Sequence, residues 1–296
     1  MMEKQLANMQ SIRILKKSGI NRKTRNIWSI MIIVITCGLA FLFLGPYFYL
    51  LLTSFKPSSE AVSVPPTIWP SKLSLENYIE MFKYLPIGKY FMNSFIISIF
   101  SMVISVFLGS LSAYGFSRYS SKIGNLFLIF TLCIRMVPMI SIAIPIYMFI
   151  QNLGLIDTKV ALVLVYTSIN IPFAIWMMIG FFDGIPKEFD EAARVDGCSR
   201  IGAFLRIILP VSLPGLATTA IFTLMLSWND FLFALLLTST NSKTATVGIS
   251  EFLTAYNLDL GPMTAAAITF SLPVMLFSFL VQRYIVSGMT LGAVKE

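Results

Sequence analysis

The sequence predicts an all-α polytopic membrane protein with six transmembrane helices and both termini cytoplasmic. Three observations point there. Only 12% of the 296 residues are charged, about half the ~25% of a soluble domain. Mean hydropathy is +0.80, and 56% of residues are hydrophobic. The charges cluster, leaving six uncharged stretches: Asn26–Phe55, Tyr90–Ser117, Met136–Ile156, Val160–Phe182, Ile207–Asn229 and Leu260–Gln282. Each accommodates the roughly 20 residues that cross a bilayer core.

Residues 1–26 form a basic segment carrying Arg13, Lys16, Lys17, Arg22, Lys23 and Arg25. It reads as a cytoplasmic flank or an amphipathic helix against lipid, not as a nucleic-acid site. The apolar run that follows, Ile27 to Leu52, exceeds the roughly 7–15 residues of a signal-peptide core and lacks a small-x-small cleavage site, so it is the first span. With the N-terminus inside, fifteen Lys/Arg fall on the cytoplasmic side, six on the outer side, and Arg135 within the membrane. That bias places the 183–206 loop in the cytoplasm. The six-helix domain covers 27–286 and the cytoplasmic tail 287–296. The formal charge of +8 is thus a topology signal.

The outer loop 53–89 holds Pro57, Pro65, Pro66, Pro70 and Trp69, which implies ordering by turns. The second span carries Ser94, Ser98, Ser101, Ser105, Gly109 and Ser112 at intervals of three or four. Small residues on one face let helices approach closely in lipid, so the stripe reads as a helix–helix interface. Prolines interrupt four spans: Pro138 and Pro145 in the third, Pro172 in the fourth, Pro210 and Pro214 in the fifth, Pro273 in the sixth. Each frees a backbone carbonyl, and together they suggest a moving bundle around a polar path.

The 183–206 loop concentrates charge in an otherwise apolar chain. Pro186 suits a first helical position, Glu188, Asp190 and Glu191 suit a helix N-terminus, and Gly197 suits a stop. The pattern predicts a short helix over 186–196. A second amphipathic piece follows with Ile201, Phe204, Leu205 and Ile208. Phe189, Ala192 and Ala193 form a small apolar face. Spacing alone leaves two readings open: a helix docking in another protein's groove, or a hairpin packed beneath its own spans.

Glu191-Ala192-Ala193, three residues, Gly197, nine residues, Ile207, one residue, Leu209-Pro210 resembles the EAA motif of ABC importer permeases at every position. Further likeness to the maltose-type carbohydrate permeases, and to their second membrane subunit, comes from Arg135-Met136-Val137-Pro138, from Leu153-Gly154-Leu155-Ile156-Asp157-Thr158, from Ser227-Trp228-Asn229-Asp230-Phe231 and from the stretch Gln282–Lys295. The resemblance implies a type I importer permease fold with the 183–206 segment as a coupling helix in a cleft of an ATPase subunit. Glu191, Ala192, Ala193 and Gly197 would transmit closure of the ATPase dimer, and Asp190, Arg194 and Asp196 would be rim charges. It also implies the partners: a second homologous permease subunit, two ATPase subunits holding ATP and Mg, an extracytoplasmic solute-binding protein, membrane lipid and a carbohydrate substrate, with a polyol or glycerol-phosphate-type solute as the alternative. The chain itself needs no cofactor on this reading, and it has no P-loop pattern.

Ionisable groups inside a membrane are functional candidates. Arg135 either pairs structurally or lines the path. Asp230 either lines the path or marks the outer end of the fifth span. Trp228, Asn229 and Asp230 together offer an aromatic face and polar groups suited to sugar, and Asn170, Asn93, Tyr166 and Trp176 could add others. Two other classes fit poorly. A membrane-embedded enzyme wants paired carboxylates, a nucleophile with its base, or histidine ligands, and the chain has no histidine. A secondary transporter usually shows internal repeats and needs no coupling loop. Cys37, Cys133 and Cys198 lack metal-ligand spacing and read as packing residues.

Overall fold

The computed structural model describes residues 22–119, 121–254 and 260–292, and every regular element among them is helical. Most of the 1–26 segment and the last four residues of the tail lie outside the described residues, as do the side chains of 283–292. The chain divides into two units at Leu52/Thr53. The first consists of α1 (Arg22–Ser54) up to Leu52, a single long apolar helix.

The second unit is built on α4 (Ile87–Arg118), α7 (Lys159–Asp183) and α11 (Leu213–Asn229), with α14 (Leu260–Gly292) packed on α11. The helices α4 and α7 run parallel and side by side. Ser94, Ser98, Ser101 and Ser105 are buried, and a Cβ on Gly109 would come within 2.5 Å of the Ala174 Cβ. Only a hydrogen there allows this approach. The stripe is a helix–helix interface, except that Ser112 is half-buried and bonds its own helix at the Leu108 carbonyl, 2.8 Å away.

Four described helices are long and apolar enough to cross a membrane, and the count reaches six when each of two bent pairs is one span. The third span is α5 (Lys122–Met136) and α6 (Met139–Asn152), bent by 97°. Val137 is extended there (ψ 125°), the conformation a following proline imposes. The fifth bends by 82° between α10 (Leu209–Val211) and α11, where Pro214 cannot donate to the Pro210 carbonyl. Pro172 and Pro273 are accommodated inside α7 and α14 without a break. Two interruptions of the four expected therefore become bends.

The loop after α1 contains more than turns. It forms α2 (Ser58–Ala61) and α3 (Glu76–Tyr84). Buried Asn77 on α3 donates to the carbonyls of Ser54 (3.1 Å) and Lys56 (2.8 Å), pinning the loop's start. The same end carries a clasp. Asp157, at φ 58°, precedes the Thr158 cap of α7. Its carboxylate accepts the backbone N–H groups of Ser239 (3.0 Å), Thr240 (3.2 Å), Asn241 (2.9 Å) and Ser242 (3.1 Å). Partial burial pushes this carboxyl up, but the four N–H groups together outweigh that and hold it well below the usual carboxylate range. From the other side, Asn93 on α4 donates to the Asn241 and Lys243 carbonyls. Asn93, a candidate sugar contact by sequence, is thus a loop anchor.

Candidate functional site

At the opposite end of the bundle, α7 stops at Asp183. After a turn through Pro186 comes α8 (Glu188–Val195), two residues shorter at its start than the sequence pattern predicts. Glu188, Asp190 and Glu191 occupy its first turn and Arg194 its last, both favourable to the helix dipole. Termination is complete. Gly197 sits at φ +85°, its N–H donates to the Arg194 carbonyl (3.1 Å), and the Cys198 N–H donates to the Ala193 carbonyl (2.9 Å). This paired pattern is the Schellman motif, which favours glycine at its left-handed position. Ser199 then caps α9 (Arg200–Ala203) through the Gly202 N–H. A π-helical turn, Phe204–Ile208, leads into α10.

The two faces of α8 differ from the sequence expectation. Phe189 (45% exposed) and Ala192 face outward, and Val195 (87%) joins them at the same three-residue step. Ala193 is fully buried instead. Glu191, Arg194, Asp196 and Gly197 are exposed. Asp190 is not a rim charge but points inward. Its carboxylate pairs with the Arg118 guanidinium at 2.8 Å and accepts the Tyr114 hydroxyl at 2.5 Å. The two charged side chains are only 6% (Arg118) and 15% (Asp190) exposed. Arg118 also donates to the carbonyls of Phe182 and Ile185, each at 3.0 Å. By sequence, Arg118 counts only as a cytoplasmic topology charge. Its proximity to the end of α4 was visible, but its partner lies 72 residues away.

Beneath the helix, the Tyr114, Phe182 and Phe204 rings meet, with Tyr114–Phe204 centroids 4.9 Å apart. The helix therefore rests on a buried aromatic cluster. A cleft of ≈ 120 Å³ opens beside the ion pair between Tyr119, Lys187, Glu191, Arg194 and Arg200, with Arg200 stacked 4.8 Å from the Tyr119 ring centroid.

The proposed substrate-path residues do not converge. Asn170 is buried and donates to the Ser227 hydroxyl at 2.8 Å, joining α7 to α11. Trp228 is 2% exposed among Phe91, Phe270 and Phe277. Its ring is core, and in this structure it is closed to a solute. Asp230 follows the last residue of α11, and its carboxylate accepts the Phe233 N–H (3.2 Å) at the start of α12 (Leu232–Leu237), so it marks the helix end. Arg135 lies in the last turn of α5 with its guanidinium 5.0 Å from the Phe173 ring centroid. The ion pairs among the described residues are Arg118–Asp190 and Lys243–Glu251, so Arg135 and Asp230 are not partners. Of the 228–230 group only Asn229 is exposed, its amide donating to the Met225 carbonyl at 3.0 Å.

A helical bundle with bent apolar spans, carrying at one end a short helix that leaves apolar side chains outward, is the architecture of a multi-pass membrane protein. Residues 105–291 match the family described as the binding-protein-dependent transport system inner membrane component. The chain belongs to that family and is a multi-pass protein of the cell membrane. It is 34% identical over 270 residues to the trehalose/maltose transport system permease protein MalG of Thermococcus litoralis, covering 90% of this chain and 96% of that one. To the arabinooligosaccharides transport system permease protein AraQ of Halalkalibacterium halodurans it is 33% identical over 280 residues, covering 93% and 100%. Among solved structures, a chain of a bacterial ABC transporter involved in import of the acidic polysaccharide alginate superposes with a TM-score of 0.76 at 20% identity, covering 89% of this chain and 98% of that chain. The fold is that of the ABC importer permeases.

Proposed function

We propose that this chain is one of two membrane subunits of an ATP-driven importer for a carbohydrate, an oligosaccharide in particular. A second permease subunit completes the pore, an extracytoplasmic binding protein delivers the solute, and two ATPase subunits on the α8 side bind ATP and Mg. The fifteen-to-six Lys/Arg bias supports placing that side in the cytoplasm. The chain does no covalent chemistry. The carbohydrate reading rests on the names of relatives such as the trehalose/maltose and arabinooligosaccharide permeases.

One observation carries the coupling role. On a helix with three acids in its first turn, Phe189, Ala192 and Val195 stay exposed on the outward side. A small residue between two larger apolar ones is what close seating in a groove requires. Covering the 45% of Phe189 that is still exposed is worth about 1 kcal/mol. Glu191 and Arg194 on the same exposed helix supply polar contacts at the margin. Movement of the ATPase dimer then reaches the pore through α8.

Two measurements test this. Phe189→Asp should abolish co-purification of the ATPase subunits while the permease pair still assembles; full retention of the ATPase sinks the docking role. A thermal-shift screen of the cognate solute-binding protein against mono- and oligosaccharides tests the substrate class. Stabilisation by amino acids or metal ions, and by no sugar, would overturn the carbohydrate reading.

A further inference from the structure

We propose that Arg118, with Tyr114 and Asp190, is a positioning group that makes α8 and the inner ends of α4 and α7 one rigid body. This rests on the coupling role above and specifies how displacement of α8 reaches the membrane. The group touches neither solute nor ATP.

Three guanidinium donors reach three separate points. Nε meets Asp190 on α8, while the two terminal nitrogens meet the Phe182 carbonyl in the last turn of α7 and the Ile185 carbonyl in the connecting turn. The Phe182 carbonyl, at the end of α7, also accepts the Ile185 N–H of the turn at 3.0 Å, so the guanidinium takes its second lone pair. Arg118 therefore caps α7 and grips α8 at once. A planar fork can do this, whereas a lysine ammonium on its flexible stem cannot hold the same three directions. A second bond on the same carboxylate comes from the Tyr114 hydroxyl, one helical turn before Arg118. Ser117 adds a 2.5 Å bond to Asp183.

The segment on the far side of α8 is held at the same place. Phe204, in the π-helical turn, packs on Tyr114 and Phe182. Both flanks of α8 are thus fixed to the α4–α7 pair, while its outward face stays free. A landing pad on a loose loop would need no charge on its inner side. Placing one there is costly unless it is paired and hydrogen-bonded, and this pair is both. The geometry makes the α8–α4 relationship independent of what pushes on the outward face.

The test is a distance measurement in the assembled transporter in nanodiscs, with Cys37, Cys133 and Cys198 replaced by serine. Spin labels go on Lys187→Cys at the N-cap of α8, off the docking face, and Phe100→Cys of α4, both exposed in this chain. The probe is MgATP with vanadate, compared with the nucleotide-free state. One narrow, unchanged distance distribution is expected in both states. With Arg118→Ala or Asp190→Asn added, the distribution should broaden or shift by about 5 Å, one helical turn, on adding MgATP and vanadate. The double variant should be no worse than the worse single, since the two side chains act as one unit. Tyr114→Phe keeps the ring packing, so its folding is secure, and it should give a smaller broadening of the same kind. Overturning results are a wild-type distance that changes with nucleotide, or Arg118→Ala, Asp190→Asn and Tyr114→Phe distributions that all match wild type in both states. A separate arm cross-links Ala192→Cys to the ATPase. Its failure in the otherwise unaltered chain sinks the docking role and leaves the rigidity measurement standing.

Discussion

Replacing Gly197 separates two reasons for a glycine after α8. Its φ of +85° is left-handed, yet a Cβ built there meets nothing within 4 Å. Within this chain the cost of a side chain is therefore conformational, not steric. An L-residue in the left-handed region costs about 1–2 kcal/mol, and asparagine visits it far more readily. Gly197→Asn should cost less than alanine there, since asparagine also serves at this position after helices. Gly197→Ala should cost about 1–2 kcal/mol, and Gly197→Val more, because β-branched residues there are outliers. If that energy comes out of the seated conformation, ATPase affinity falls by roughly 5–30-fold for alanine. The assay is titration of the nanodisc-embedded permease pair with labelled ATPase subunit. The expected order of affinity is Gly, Asn, Ala, Val. Asparagine as damaging as alanine would refute the reasoning, because the glycine would then be serving close approach of the partner.

Other expected outcomes concern the surrounding fold. Asp157→Asn keeps a residue comfortable at φ 58° but removes the charge shared by four N–H groups, so hydrogen exchange at Ser239–Ser242 should quicken by about 30-fold, near 2 kcal/mol. Because the folded-state carboxyl is depressed, its stabilisation is present above the unfolded value near 3.9 and lost only as pH falls through the folded value. Exchange in the wild type, corrected for intrinsic rates, should therefore show no clasp-dependent change between about pH 5 and 8. Trp228→Ala should lower stability by about 3–5 kcal/mol in thermal unfolding, with uptake and ATP hydrolysis falling together; loss of uptake alone would restore the ring to the solute path. Gly109→Ala should cost about 1–3 kcal/mol through overpacking on Ala174, and Ala174→Gly in the same chain should recover most of it. No recovery would mean that the α4–α7 approach is not what the glycine serves.

Much of this architecture is legible in the sequence because the bilayer imposes a length on each apolar run. The end of α8 is legible as well, since a left-handed glycine after Arg194 and the downstream spacing are local signals. The phase of α8 is not. Over eight residues, apolar and charged side chains alternate on both sides, so Ala193 and Asp190 could be assigned outward until α4 was seen beneath them. Trp228 misleads for a related reason. Its neighbours Phe91, Phe270 and Phe277 come from two other helices, and burial made by distant segments leaves no local trace. The helix α13 (Ala245–Thr254) also leaves no clear sequence signal, since a short apolar run carries little periodicity.

The measurement that bears most directly on the account is a cysteine cross-linking scan of the complete transporter, with a bifunctional maleimide reagent read against the ATPase subunit. Adducts are expected from Phe189→Cys, Ala192→Cys and Val195→Cys on the outward side of α8, and not from Ile123→Cys at the exposed start of α5. An ATPase captured from Ile123 and from none of the three α8 positions would contradict it.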